Sequence, residues 1–118
     1  MAEKYPLATA IVALTGTTDV ELLGPPPTDV SYRVMKIFGR NTSGIARTLT
    51  LSIDKAATKT EIWTSPATDD DAYYNQSSPG AENFTLDIVL ADTDESLYMK
   101  LDDTGTDRIV VVYEIREA

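Results

Sequence analysis

The chain has neither cysteine nor histidine among its 118 residues. The first absence excludes disulfide cross-links, thiolate metal sites and cysteine nucleophiles, so stability must come from packing and hydrogen bonds. The second removes the commonest general base, the commonest zinc ligand and the usual partner of a serine nucleophile, which disfavours most hydrolase chemistry. Basic residues are scarce: 10 Lys and Arg stand against 19 Asp and Glu, for a formal charge of −9. That charge opposes nucleic-acid phosphates and anionic membrane surfaces. No apolar run approaches the roughly 18 residues of a transmembrane helix. The run Leu7 to Leu14 holds Thr9, follows Glu3 and lacks a basic n-region, so it is not read as a signal peptide. Phosphate-cradling glycine loops are missing as well, because the few glycines sit singly in turns. No cofactor, nucleic acid, membrane or small-molecule substrate is expected.

What the chain does have is β-strand patterning. Its length suits one domain over residues 1–118, large enough to bury a continuous core. Turn residues separate about eight runs rich in Val, Ile, Thr and aromatics, the pattern of an all-β antiparallel sandwich of jelly-roll-like kind. The runs begin with Leu7 to Leu14 and Asp19 to Leu23, the latter stopped by Gly24-Pro25-Pro26-Pro27, whose prolines cannot donate to a ladder. Val30 to Arg40 and Ile45 to Ile53 read as a hairpin closed by Asn41-Thr42-Ser43-Gly44. In its second half Leu49, Leu51 and Ile53 alternate with Thr48, Thr50 and Ser52, as in a strand with one dry face. Glu61 to Thr64 is short and centred on Ile62 and Trp63. Alternation returns in Phe84 to Leu90 and in Leu97 to Leu101. Ile109 to Ile115 is apolar on both faces, which marks a central or interface-covered strand. Asp54 to Lys59 is expected to form one helical turn at most. Ser65 to Ala81 is the one long loop and the first place to seek a contact surface.

Charge is unevenly spread. Six bases (Arg33, Lys36, Arg40, Arg47, Lys55, Lys59) and one acid lie between Val30 and Lys59, whereas Ser65 to Asp107 holds 11 acids and one base. Solvation of two surfaces explains this, and so does a basic patch meeting an acidic neighbour. Arg33, Lys36, Arg40 and Arg47 are therefore candidate docking residues, and reversing Arg40 and Arg47 to Glu is expected to spare the fold while weakening assembly. Trp63, Tyr73 and Tyr74 are candidates for a subunit interface or a sugar-stacking patch. The acidic stretches Asp69 to Asp71, Asp92 to Glu95 and Asp102 to Asp107 lack the ligand spacing and closing Glu of a calcium loop, and read as solvated turns. Carboxylates are too abundant for any pair to signal glycoside hydrolysis. No catalytic residue is nominated and no metal site is expected.

The order of elements carries a resemblance. Val20-Glu21-Leu22-Leu23 and a Pro/Gly break lead to Tyr32-Arg33-Val34-Met35-Lys36-Ile37, then Arg40-Asn41-Thr42-Ser43 and Thr48-Leu49-Thr50-Leu51. Phe84-Thr85-Leu86, Asp94 to Lys100 and Val110 to Ile115 follow. Over roughly Asp19 to Ile115 the chain resembles small β-sandwich virion structural proteins of tailed bacteriophages, a group of capsid decoration (cement) and head- or tail-associated proteins. The resemblance implies a structural, non-enzymatic role. Its first expectation is a decoration protein, made in the host cytoplasm, that sits on the capsid surface and bridges major capsid protein subunits as a homo-oligomer, dimer or trimer. A tail or connector component and a carbohydrate-binding module are the alternatives.

Overall fold

The computed structural model describes residues 6–65, 67–74 and 88–117. Eight strands follow one another: β1 (Leu7–Leu14), β2 (Val20–Leu23), β3 (Val30–Gly39), β4 (Leu49–Lys55), β5 (Thr58–Thr64), β6 (Ile88–Leu90), β7 (Glu95–Leu101) and β8 (Asp107–Glu117). They form two antiparallel four-stranded sheets, ordered β1-β8-β3-β6 and β2-β7-β4-β5. The nested pairs β1·β8, β2·β7, β3·β6 and β4·β5 describe one long hairpin rolled over on itself, stitched along its length by β3·β8 and β4·β7. That is the jelly-roll arrangement.

Strand periodicity builds the core between the sheets. The inward members of β7 (Leu97, Met99, Leu101) and of β4 (Leu49, Leu51) meet Leu14, Ile37, Leu90, Ile109 and Val111 from the other sheet, and all are almost fully buried. Tyr32 and Tyr113 close one end edge to face, with ring centroids 5.0 Å apart. Gly39 sits inward opposite Ile109, where a Cβ would stand 2.6 Å from Ile109 Cδ1 and 2.7 Å from the Arg108 carbonyl oxygen. Only glycine lets the two strands lie this close.

Three expectations are corrected. Val30 to Ile53 is not a hairpin: β3 pairs with β6 and β8 while β4 pairs with β5 and β7, so residues 40–48 cross from one sheet to the other. The strand expected from Ile45 accordingly starts at Leu49, and Arg47 makes only an isolated bridge to Thr68. Asp54 to Lys59 is not a helical turn but the tip of the β4–β5 hairpin: Asp54 and Lys55 end β4, Thr58 and Lys59 begin β5, and Ala56 and Ala57, at φ 51° and 65°, form the two-residue connection. Positive φ at both positions is the geometry that right-twisted strands demand of so short a loop. Of the strand expected over Phe84 to Leu90, Ile88–Leu90 is present and residues 84–87 lie outside the described residues, as do residues 66 and 75–81 of the long loop.

Candidate assembly surface

The two outer faces differ in character. On the β1-β8-β3-β6 sheet the register sets side chains in rows across the strands. Ile11 stands beside Val110 and Phe38, Thr9 beside Val112 and Lys36, and Leu7 beside Glu114, Arg33 and Val89. Met35 is the extra residue of a bulge in β3 and also faces solvent. Leu7, Ile11, Met35 and Val89 are four of the six large hydrophobic side chains exposed among the described residues, with Leu7 at 63% and Ile11 at 67%. Around them stand the cations Arg33, Lys36, Arg108 and Arg116, against the carboxylate of Glu114, which Arg116 grips at 2.8 Å. Lys36 lies 5.1 Å over the Phe38 ring, so its charge is held at the edge of the apolar stripe.

The outer face of the β2-β7-β4-β5 sheet is polar. Its central row is Glu21, Tyr98, Ser52 and Glu61, followed by Lys100, Thr50 and Thr64. The Tyr98 hydroxyl donates to Glu21 Oε2 at 3.2 Å, and Lys59 covers the ring at 4.4 Å. Burial and the Glu21 charge hold the Tyr98 hydroxyl above the usual tyrosine range.

The crossover of residues 40–48 is pinned by a buried polar hub at the end of the sandwich. Asn41, fully buried, donates through Nδ2 to the carbonyls of Ile45 and Thr68 at 2.8 Å each, and its Oδ1 accepts the Ser43 N–H at 2.9 Å. Asp107, also fully buried, accepts from the Thr42 N–H at 2.8 Å, from the Thr42 and Ser43 hydroxyls at 3.0 and 3.2 Å, and from the Tyr74 hydroxyl in a short bond. Burial, followed by the bond to Asp107, raises the Tyr74 hydroxyl far above its ordinary range. Arg47 donates Nε and Nη2 to the Thr104 carbonyl at 2.9 and 2.7 Å, tying the crossover to the β7–β8 loop.

The predicted site residues therefore scatter. Arg33 and Lys36 do lie on the outward face of β3. Arg40 is exposed beyond its end, 4.0 Å from Asp71 and bridged to Tyr73 through the backbone. Arg47 and Tyr74 are corrections, being 7% and 2% exposed: the hydrogen-bonding needs of the crossover draw both inside, away from any docking surface. Trp63 also points inward, opposite Leu51, and with Tyr74, Ile37, Leu49 and Ile109 lines a small gap between the sheets. Of the three aromatics only Tyr73, at 45%, is well exposed, so they do not form the single stacking platform considered from the sequence.

The acidic stretches act as loop fasteners. Asp70 accepts the Gly44 N–H, Asp102 the Thr48 N–H, Glu95 the N–H groups of Ala91 and Asp92, and Asp92 pairs with Lys55 at 2.6 Å. Among the described residues no three or more acids converge as metal ligands do.

Sequence reasoning missed Leu7, Ile11, Arg108, Val110, Val112 and Arg116 as surface residues. The signal was present in the two-faced apolarity of Ile109 to Ile115, whose outward half is Val110 and Val112. No family model and no curated protein matches this chain.

Proposed function

We propose that the protein is a virion structural component of a tailed bacteriophage, a capsid decoration protein that binds the outside of the major capsid shell through the outer face of the β1-β8-β3-β6 sheet. The observation that carries this reading is the character of that face. A chain of net charge −9 gathers four cations around one apolar sheet face and leaves the opposite face polar. An apolar centre with a charged rim is the anatomy of a protein–protein interface, and the rim cations set partner choice and encounter rate. Jelly rolls recur in capsid and lectin domains, which adds analogy and no more. The role is structural and without turnover: burial across shell-subunit boundaries strengthens the shell, and a homo-oligomer gains avidity by touching several subunits at once.

The test is rebinding. Purified protein is added to shells that lack it, and shell heat resistance is measured with and without it. Binding is expected to weaken as salt rises. Lys36→Glu with Arg108→Glu, both exposed, is expected to melt like the wild type and to bind at least tenfold more weakly. Association with tail tube or connector in place of shells would establish the alternative, and unchanged shell binding by the double variant would remove this face from the interface.

A further inference from the structure

Among the described residues the two sheets end in four edge strands, of which β1, β2 and β5 are not equally protected. An open edge presents unpaired N–H and C=O groups that template further pairing, and proteins blunt such edges with charge, proline, bulges or short length. β2 is four residues long, bulged, and followed by Pro25, Pro26 and Pro27. β5 carries Lys59 and Glu61 and is bulged against β4. Among the described residues β1 has none of these devices along its length: Leu7–Leu14, LATAIVAL, is eight residues long, holds no charge, no proline and no bulge, and pairs on one side only, while the Pro6 that precedes it turns its carbonyl toward β8.

The free groups can be assigned. The Pro6 carbonyl accepts the Ile115 N–H at 2.9 Å, so in the antiparallel β1·β8 ladder the even-numbered residues turn their peptide groups toward β8. Leu7, Thr9, Ile11 and Ala13 therefore turn theirs to the open edge. The same residues carry the exposed side chains of β1, whereas Ala8, Ala10, Val12 and Leu14 face the core.

We infer that β1 is a self-association seam, at which a second copy of this chain adds its own β1 antiparallel about a twofold axis through Ala10, making one continuous eight-stranded sheet. Symmetry selects that register. Opposed residues must share a face, or the core side of one copy would continue the solvent side of the other. Centring on Ala10 opposes Leu7 with Ala13 and Thr9 with Ile11, and so employs every free peptide group of β1. Centring on Thr9 leaves Ala13 unpaired, and centring on Ile11 leaves Leu7. Side-chain charge fits as well. Two copies that repel at long range meet along a strand without charge, and each Leu7–Ala13 row runs from the Glu114 of one copy to the Arg108 of the other, opposite signs at both ends. The seam extends the outer apolar stripe from one copy into the next, which is what an isologous assembly on a shell surface requires.

The seam is tested in the absence of any shell, so its outcome is independent of the capsid reading. Sedimentation velocity across a concentration series is expected to show a monomer–dimer equilibrium of the 12.9 kDa chain. Thr9→Pro removes one outward donor and leaves the bonds to β8, and is expected to weaken dimerisation at least tenfold while the variant still melts cooperatively. The chain has no cysteine, so Ala10→Cys introduces a lone thiol at the axis. Opposed residues of a non-hydrogen-bonded pair lie about 4.5 Å apart at Cα, within disulfide reach. Mild oxidation should give a covalent dimer with Ala10→Cys and not with Ala13→Cys, whose copies stand far from each other along the seam. A wild type that stays monomeric at millimolar concentration, a dimer indifferent to Thr9→Pro, or cross-linking through Ala13→Cys in preference to Ala10→Cys would each overturn the inference.

Discussion

Replacing Tyr74 by Phe removes a single oxygen from the buried hub and keeps the ring, which belongs to the same core cluster as Ile37, Leu49 and Ile109. The Tyr74 hydroxyl donates to a carboxylate with no exposure to water, so the lost bond is charge-assisted and water cannot replace it. Hydrogen bonds to charged groups contribute about 1.5–3 kcal/mol, which in a domain of this size lowers the melting temperature by about 6–12 °C. The same hydroxyl titrates above the ordinary tyrosine value in the folded state, because burial and Asp107 disfavour the phenolate. Its contribution is thus fully present below about pH 10 and declines as the pH rises beyond that, since the unfolded chain then releases a proton that the folded chain retains. Urea titrations at pH 8 and at steps above pH 10 check both parts. The variant should be less stable at pH 8 and should lose stability less steeply in alkali. A Tyr74→Phe protein melting within about 1 °C of the wild type would refute the argument, because it would mean the remaining donors satisfy Asp107 without the phenol.

Two further perturbations follow from the crossover and the hairpin. Ala56→Asn with Ala57→Gly places in the β4–β5 connection the residues its positive φ values favour, and should raise stability by about 1–2 kcal/mol in denaturant titration. Arg47→Glu puts a carboxylate against the Thr104 carbonyl inside the protein and should cost about 3–5 kcal/mol, whereas exposed Arg40→Glu should stay within about 0.5 kcal/mol of the wild type; thermal melts distinguish them.

The strands were legible because alternation is local. Leu97, Met99 and Leu101 announce a dry face without reference to any other part of the chain, and the whole of β7 follows. Partner choice is not local. Asn41-Thr42-Ser43-Gly44 has hairpin composition, but β3 pairs with β8 and β4 with β7, strands remote in sequence, and its turn residues serve the Asp107 hub instead. Ala56-Ala57 hides a tight turn because alanine carries no turn signal, and the ladder on either side imposes the conformation. The basic residues show a similar limit. Sequence spacing placed Arg33, Lys36, Arg40 and Arg47 on one stretch, but only the sheet register separates the two on the outward face from the one drawn inside. The cations Arg108 and Arg116, remote in sequence, join that face through β8.

The nested pairing also sets an order of events during synthesis. β8 is made after the other seven described strands, and it lies between β1 and β3. Until it emerges, the first sheet has no centre, and β1 travels with both edges open and no charge along either. Contacts of such long sequence separation form slowly, so a nascent or truncated chain ending before Asp107 exposes the stretch best suited to pair with a neighbour. Insertion of β8 leaves one edge of β1 available where there were two, and self-recognition becomes selective only once β8 is in place.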